Sequence, residues 1–179
     1  NKKVVVTAGP TEEAIDPVRY ISNRSSGMMG CEIANAFHAQ GAKVIIVKGP
    51  CKYSQNNEIE SINVKTASEM LMSVEKNITN CDIFVSVAAV SDFIAKKLSS
   101  KKIKSEDIPK LELEKNIDII KKISENYKVF SIGFAAETSE LKENALKKLK
   151  EKKLSVIAAN KVSFTAVSYT HLRAHETDS

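Results

Sequence analysis

The chain has 179 residues, 42% hydrophobic and 27% charged, with 27 Lys and Arg against 22 Asp and Glu for a net charge of +5. That describes one folded domain able to bury about 70 per cent of the surface its unfolded chain exposes, with no need of a disulfide scaffold. No apolar run nears the 18 or so residues of a membrane span, residues 1–8 lack a signal pattern, and aromatic residues are not interleaved with the basic clusters at 96–104, 121–128 and 142–153, which argues against membrane and single-strand nucleic-acid roles and fits another anionic partner.

The chain opens directly in a strand, which leaves room for an upstream segment. Val4-Val5-Val6-Thr7 is a β-branched run closed by Ala8-Gly9-Pro10, the pattern of a buried strand ending in a turn. Ile33, Ala34 and Phe37 make one apolar stripe over Gly30 to Gln40, a helix capped by Gly41. Val44 to Val47 is a second strand, ended by Gly49-Pro50, and Ile62 to Val64 a weaker third. Thr66 then caps a helix to Asn77 through Glu69, with Met70, Leu71 and Val74 on one face. Ile83 to Val87 is the strongest strand signal.

Residues 91–115 have no clean period, carry many lysines and include Pro109, so they read as a functional flap. Helical spacing resumes at Ile117, Ile120 and Ile123, followed by a strand at Val129 to Phe134, a helix at Ser139 to Lys153 and a strand at Val156 to Ala159. Strands alternating with helices, several strands being apolar throughout, imply an α/β fold with a mainly parallel sheet covered on both faces. Ligands then sit beyond the strand ends at Thr7 to Thr11, Val87 to Asp92 and Gly133 to Thr138. The tail from Thr165 to Ser179, with His171, Arg173, His175 and Glu176, shows neither strand nor helix period. It resembles a translated adapter read-through and is set outside the fold.

The cysteines Cys31, Cys51 and Cys81 lie far apart without Cys-x-x-Cys spacing, as expected of reduced thiols in a cytoplasmic protein. The segment Ser22 to Gly30 brings hydroxyls, an amide, a guanidinium and glycines to a helix start, which suits an anion or an ordinary capped loop equally. Ala88-Ala89-Val90-Ser91-Asp92 leaves a strand with small residues and then a carboxylate, fit for a ribose or for a tight turn. Lys148 and Lys152 share a helix face, either toward phosphates or toward solvent. His38 reads as a surface or satisfied helix histidine, and no metal-ligand spacing is present, so a divalent ion would arrive with nucleotide phosphates. An NAD(P)-dependent reductase would share the architecture, but Gly-x-Gly-x-x-Gly is absent after the first strand, as is the Walker pattern. A nucleic-acid module on the basic surface ranks below it.

Thr7-Ala8-Gly9-Pro10-Thr11, Ile15 to Gly27, Ala88 to Phe93, Lys102-Ile103-Lys104 and Gly133 to Thr138 occur in one order along the chain. Together they resemble the phosphopantothenate cysteine ligase family over residues 3 to about 163. The resemblance implies a Rossmann-like, doubly wound single domain over 1–163, working as a homodimer and often fused behind a flavin-dependent decarboxylase. It implies joining of 4'-phosphopantothenate to L-cysteine with CTP as co-substrate and Mg2+ on its phosphates. By similarity the CTP positions are Ser86, Val87, Ala88, Asp92, Lys102, Ile117, Asp118, Ile119, Ile120, Phe134, Lys148 and Lys152. Asn23 matches an asparagine that handles the acyl intermediate, and Lys102 is expected to be catalytic. Met28, Ile117 and Lys161 depart from the family pattern, which has lysine, proline and aspartate there.

Overall fold

The computed structural model describes residues 1–104, 110–137, 140–163 and 166–174. The β-branched run near the N-terminus forms β1 (Lys3–Ala8), and every residue from Val4 onward is buried. Burial of consecutive residues requires cover on both faces, and the strand's alternation supplies it. Val5 joins a cluster with Met70, Val74, Phe84 and Ile123. Val4, Val6 and Ala8 join another with Ala34, Ile46 and Val85.

After β1 come β2 (Glu12–Ala14), β3 (Tyr20–Ser22), α1 (Met28–Ala39), β4 (Lys43–Lys48), β5 (Glu60–Asn63), α2 (Ala67–Asn77) and β6 (Ile83–Ser86). Then follow β7 (Phe93–Ala95), β8 (Leu113–Lys115), α3 (Ile119–Asn126), β9 (Phe130–Glu137), α4 (Leu141–Glu151), β10 (Val156–Ser163) and β11 (Ala166–Ala174). The large sheet runs β11-β10-β9-β6-β1-β4-β5, parallel throughout except for β11. The chain winds outward from β1 to β5, then crosses to β6 and winds the other way. This is the expected Rossmann-like, doubly wound architecture, and its switch point lies between β1 and β6.

Local chemistry explains the helix ends. α1 stops in a Schellman motif: Gly41, at φ 83°, donates to His38 O at 2.8 Å and Ala42 donates to Phe37 O at 3.1 Å. At its other end α1 lies hard against β1, where a Cβ on Gly30 would stand 2.5 Å from that of Ala8. α2 begins in the expected capping box: Thr66 Oγ1 accepts from Glu69 N–H, and the Glu69 carboxylate accepts from Thr66 N–H. Replacing Thr66 with Ala should destabilise the protein by about 1 kcal/mol, read as a lower urea midpoint at unchanged slope.

Three features depart from the sequence reading. Residues 12–22 form the antiparallel hairpin β2–β3. The flap is rooted in a two-stranded ribbon, Phe93 opposite Lys115 and Ala95 opposite Leu113. Residues 166–174, set outside the fold on sequence, form β11 against β10. In each case the strand is held by backbone pairing, which a side-chain pattern need not announce. Pro109, Thr138, Ser139, His175 and Glu176 lie outside the described residues. Among those described, no helix is long and apolar enough to cross a membrane, and His38 meets Glu58 at 3.0 Å on the surface.

Candidate active site

Where β1 and β6 diverge, two buried threonines tie their following loops together. Thr7 Oγ1 accepts from the N–H groups of Val87 and Ala88 at 3.2 and 3.3 Å. Thr11 Oγ1 accepts from Ser91 N–H at 3.0 Å. Ala89 N–H donates to Gly9 O at 2.9 Å, and Ser91 Oγ donates to Phe93 O at 2.8 Å. The strand-end segment from Ser86 to Asp92 is thereby held open as one wall of a cleft of about 870 Å³.

The second wall is the loop before α1. Asn23 Nδ2 donates to Val90 O at 2.9 Å, bridging the two walls. Gly27, at φ 77°, starts α1 without a side-chain cap of its own, in a left-handed conformation suited to glycine. Ser25 and Ser26 hydroxyls instead accept from the Gly27 and Met28 N–H groups at 3.3 Å each. The loop is thus held by its own serine hydroxyls while lining the cleft.

The third wall comes from α3 and α4. Asn116 N–H donates to Asp92 O at 2.8 Å and its side-chain amide to Ser91 O at 2.9 Å, so the flap returns to the segment it left. Asp118 caps α3 by accepting from Lys121 N–H at 3.2 Å, and its other oxygen meets Lys152 Nζ at 2.8 Å. Ser124 Oγ donates to Lys152 O at 2.5 Å, fastening the end of α4 to α3. Lys148 lies one turn before Lys152 on the same wall.

The cleft therefore gathers Asn23, Ser86, Val87, Ala88, Asp92, Ile117, Asp118, Ile119, Ile120, Phe134, Lys148 and Lys152 from separate elements. Lys102 is the exception: it is exposed and does not line the cleft. The cause is a clamp one residue away. Ile103 N–H donates to Asp16 Oδ2 at 3.2 Å, and Arg19 Nη2 donates to Ile103 O at 2.6 Å, which fastens this part of the flap to the β2–β3 turn. Sequence reasoning also missed Thr7 and Thr11 as ties, Asn116 as the flap's return, and the cleft residue Asn160. A pair of threonines four apart at a strand end was the available signal for the first.

Asp16 is buried and also accepts from the N–H groups of Val18 and Arg19 at 2.8 Å each. The Arg19 guanidinium, reinforced by these N–H donors against the cost of burial, holds its carboxyl far below the ordinary value of 3.8. A carboxyl depressed in the folded state stabilises above its unfolded pKa and loses that contribution as pH falls through the folded value. The wild type should therefore lose stability more steeply than Asp16→Asn as pH falls below 3.8, in acid titrations of the unfolding midpoint; parallel curves would remove Asp16 from the acid response.

Comparison with known proteins finds relatives over most of the chain. A family model for the DNA/pantothenate metabolism flavoprotein C-terminal domain matches residues 1–174. The chain is 44% identical over 163 residues to the coenzyme A biosynthesis bifunctional protein CoaBC of Haemophilus influenzae, covering 89% of this chain and 41% of the relative. It is 41% identical over 171 residues to the protein of that name from Bacillus subtilis, covering 94% and 42%. A crystal structure of the C-terminal domain of CoaBC superposes with a TM-score of 0.81 at 37% identity, over 97% of this chain and 82% of that one. The chain thus spans about two fifths of the curated relatives' length. With fold and these matches in agreement, the chain belongs to the family of the DNA/pantothenate metabolism flavoprotein C-terminal domain.

Proposed function

We propose that this domain joins 4'-phosphopantothenate to L-cysteine, with CTP activating the carboxylate. The observation that carries the reading is the three-walled cleft at the switch point, in which a phosphate-suited helix start, a ribose-suited carboxylate and two lysines face one volume.

A carboxylate is a poor acyl donor to an amine because its oxygen leaves badly. Its oxygen attacks the α-phosphorus of CTP, the bond to the β-phosphate breaks, and pyrophosphate leaves. The cysteine nitrogen then attacks the acyl carbon, losing its proton as CMP departs with the former carboxylate oxygen. The chain's own residues position and stabilise. Lys148 and Lys152 oppose charge growing on the phosphates, Asp92 accepts from ribose hydroxyls, and the Asn23 amide orients the acyl oxygen of the intermediate. No side-chain nucleophile is needed.

Magnesium fits as an ion carried by the nucleotide. Asp92 and Asp118 line the cleft, Asp118 is already engaged by Lys152, and among the described residues no group of three or more His, Cys, Asp or Glu is placed to hold a metal. Bound there, the ion supplies positive charge to the phosphates. The domain is proposed to act as a homodimer in the cytoplasm, within a longer protein that also carries a flavin-dependent decarboxylase.

The test is pyrophosphate release with CTP and with ATP, in the presence of 4'-phosphopantothenate, before and after L-cysteine is added. Release that requires phosphopantothenate and CTP supports the reading; release with neither nucleotide overturns it. Lys102, held outside the cleft, is proposed to act when the flap folds over bound nucleotide. Lys102→Gln should then lower ligation by about tenfold with the unfolding midpoint unchanged, the scale of one exposed charge contact to phosphate; an unimpaired variant removes Lys102 from the mechanism.

A further inference from the structure

Asn160 stands near the C-terminal end of β10, 7% exposed, and its Oδ1 is the one buried side-chain oxygen or nitrogen among the described residues with no hydrogen-bond partner. It also lines the cleft. An orphaned buried amide oxygen is costly, so one facing a cleft calls for a donor from outside the fold, a ligand or an ordered water.

The sheet register says what stands beside it. Ala158 pairs with Phe134 on β9, and Asn160 with Ala136. Residues 134, 158 and 160 therefore share one sheet face, whereas Ala135 and Ala159 pack on the other, against Ala145 and Leu149 of α4. Asn160 is thus one strand over and one step beyond the half-buried ring of Phe134, which lines the same cleft. A ring with an acceptor at its margin suits a flat heterocycle: the ring takes the face and the acceptor takes an N–H on the edge.

Resting on the proposed ligase reading, we infer that Asn160 is a specificity-determining residue, accepting a hydrogen bond from the exocyclic amine of the nucleobase stacked beside Phe134. Cytosine offers that amine. Uracil offers a carbonyl at the same position, which sets acceptor against acceptor. The site then rejects UTP because the buried amide stays unsatisfied, rather than by shape.

The test compares kcat/KM for CTP and UTP in the wild type and in Asn160→Leu, which keeps the number and branching of the side-chain heavy atoms and removes the polar groups. The wild type should prefer CTP, and the variant should lose about 10- to 100-fold of that preference, the scale of one unmade buried hydrogen bond. The unfolding midpoint should hold or rise, because the variant removes an unsatisfied group; a purely structural asparagine would lower it and leave the CTP to UTP ratio alone. Direct binding of CTP and UTP by calorimetry gives the same comparison without turnover. An unchanged ratio in a folded variant overturns the inference, as does a rise confined to the KM for cysteine. Failure of the wild type to release pyrophosphate with any nucleotide would instead overturn the ligase reading.

Discussion

Lys152→Met should slow CTP-dependent pyrophosphate release by about 100-fold or more, the usual loss when one preorganised contact to developing charge is removed. The substitution keeps the aliphatic stem and deletes only the ammonium group. In the resting cleft that ammonium lies 2.8 Å from Asp118, with side-chain exposures of 28% and 40%. A pair so accessible to water contributes at most about 1 kcal/mol to folding, so stability should barely change. On the proposed reading, Asp118 keeps the lysine aimed across the α3 start until phosphates compete for it. A variant that folds and reacts at the wild-type rate would show that Lys152 meets only Asp118.

Phe84→Ala should cost about 3–5 kcal/mol, the range for truncating a fully buried aromatic ring. Phe84 is completely buried on β6, between β1 and β9, and packs with Val5, Val74 and Ile123 under α2 and α3. Total stability for a domain of this size is about 5–15 kcal/mol, so the variant should show a much lower urea midpoint at unchanged slope. Activity should fall with it, because the same strand delivers Ser86, Val87 and Ala88 to the cleft. A loss under about 1 kcal/mol would mean that the neighbouring helices collapse into the space.

Much of this fold was legible in one dimension. The runs at Val4 to Thr7, Val44 to Val47 and Ile83 to Val87 became β1, β4 and β6 because two-sided burial demands uninterrupted apolar residues. Thr66 and Glu69 became a capping box because its partners are only three residues apart. The element order from strand to helix implied parallel pairing, and most residues that the family motifs single out line one cleft.

What stayed illegible involves partners far apart in sequence. The ties from Thr7 to Val87 and from Thr11 to Ser91 span 80 residues each. The clamp from Asp16 to Ile103 spans 87 and leaves Lys102 outside the cleft, where its motif alone placed it inside. β11 was invisible because an edge strand is held by backbone hydrogen bonds to β10, whatever its side chains. The sequence by itself determined the elements, their parallel order and the chemical types brought to the strand ends, because period and capping act within a few residues. Only the tertiary structure decided which of those groups share a volume, which are clamped away from it, and that Asn160 is left with an unsatisfied oxygen at its wall, because packing of distant segments sets the partners of every buried polar atom.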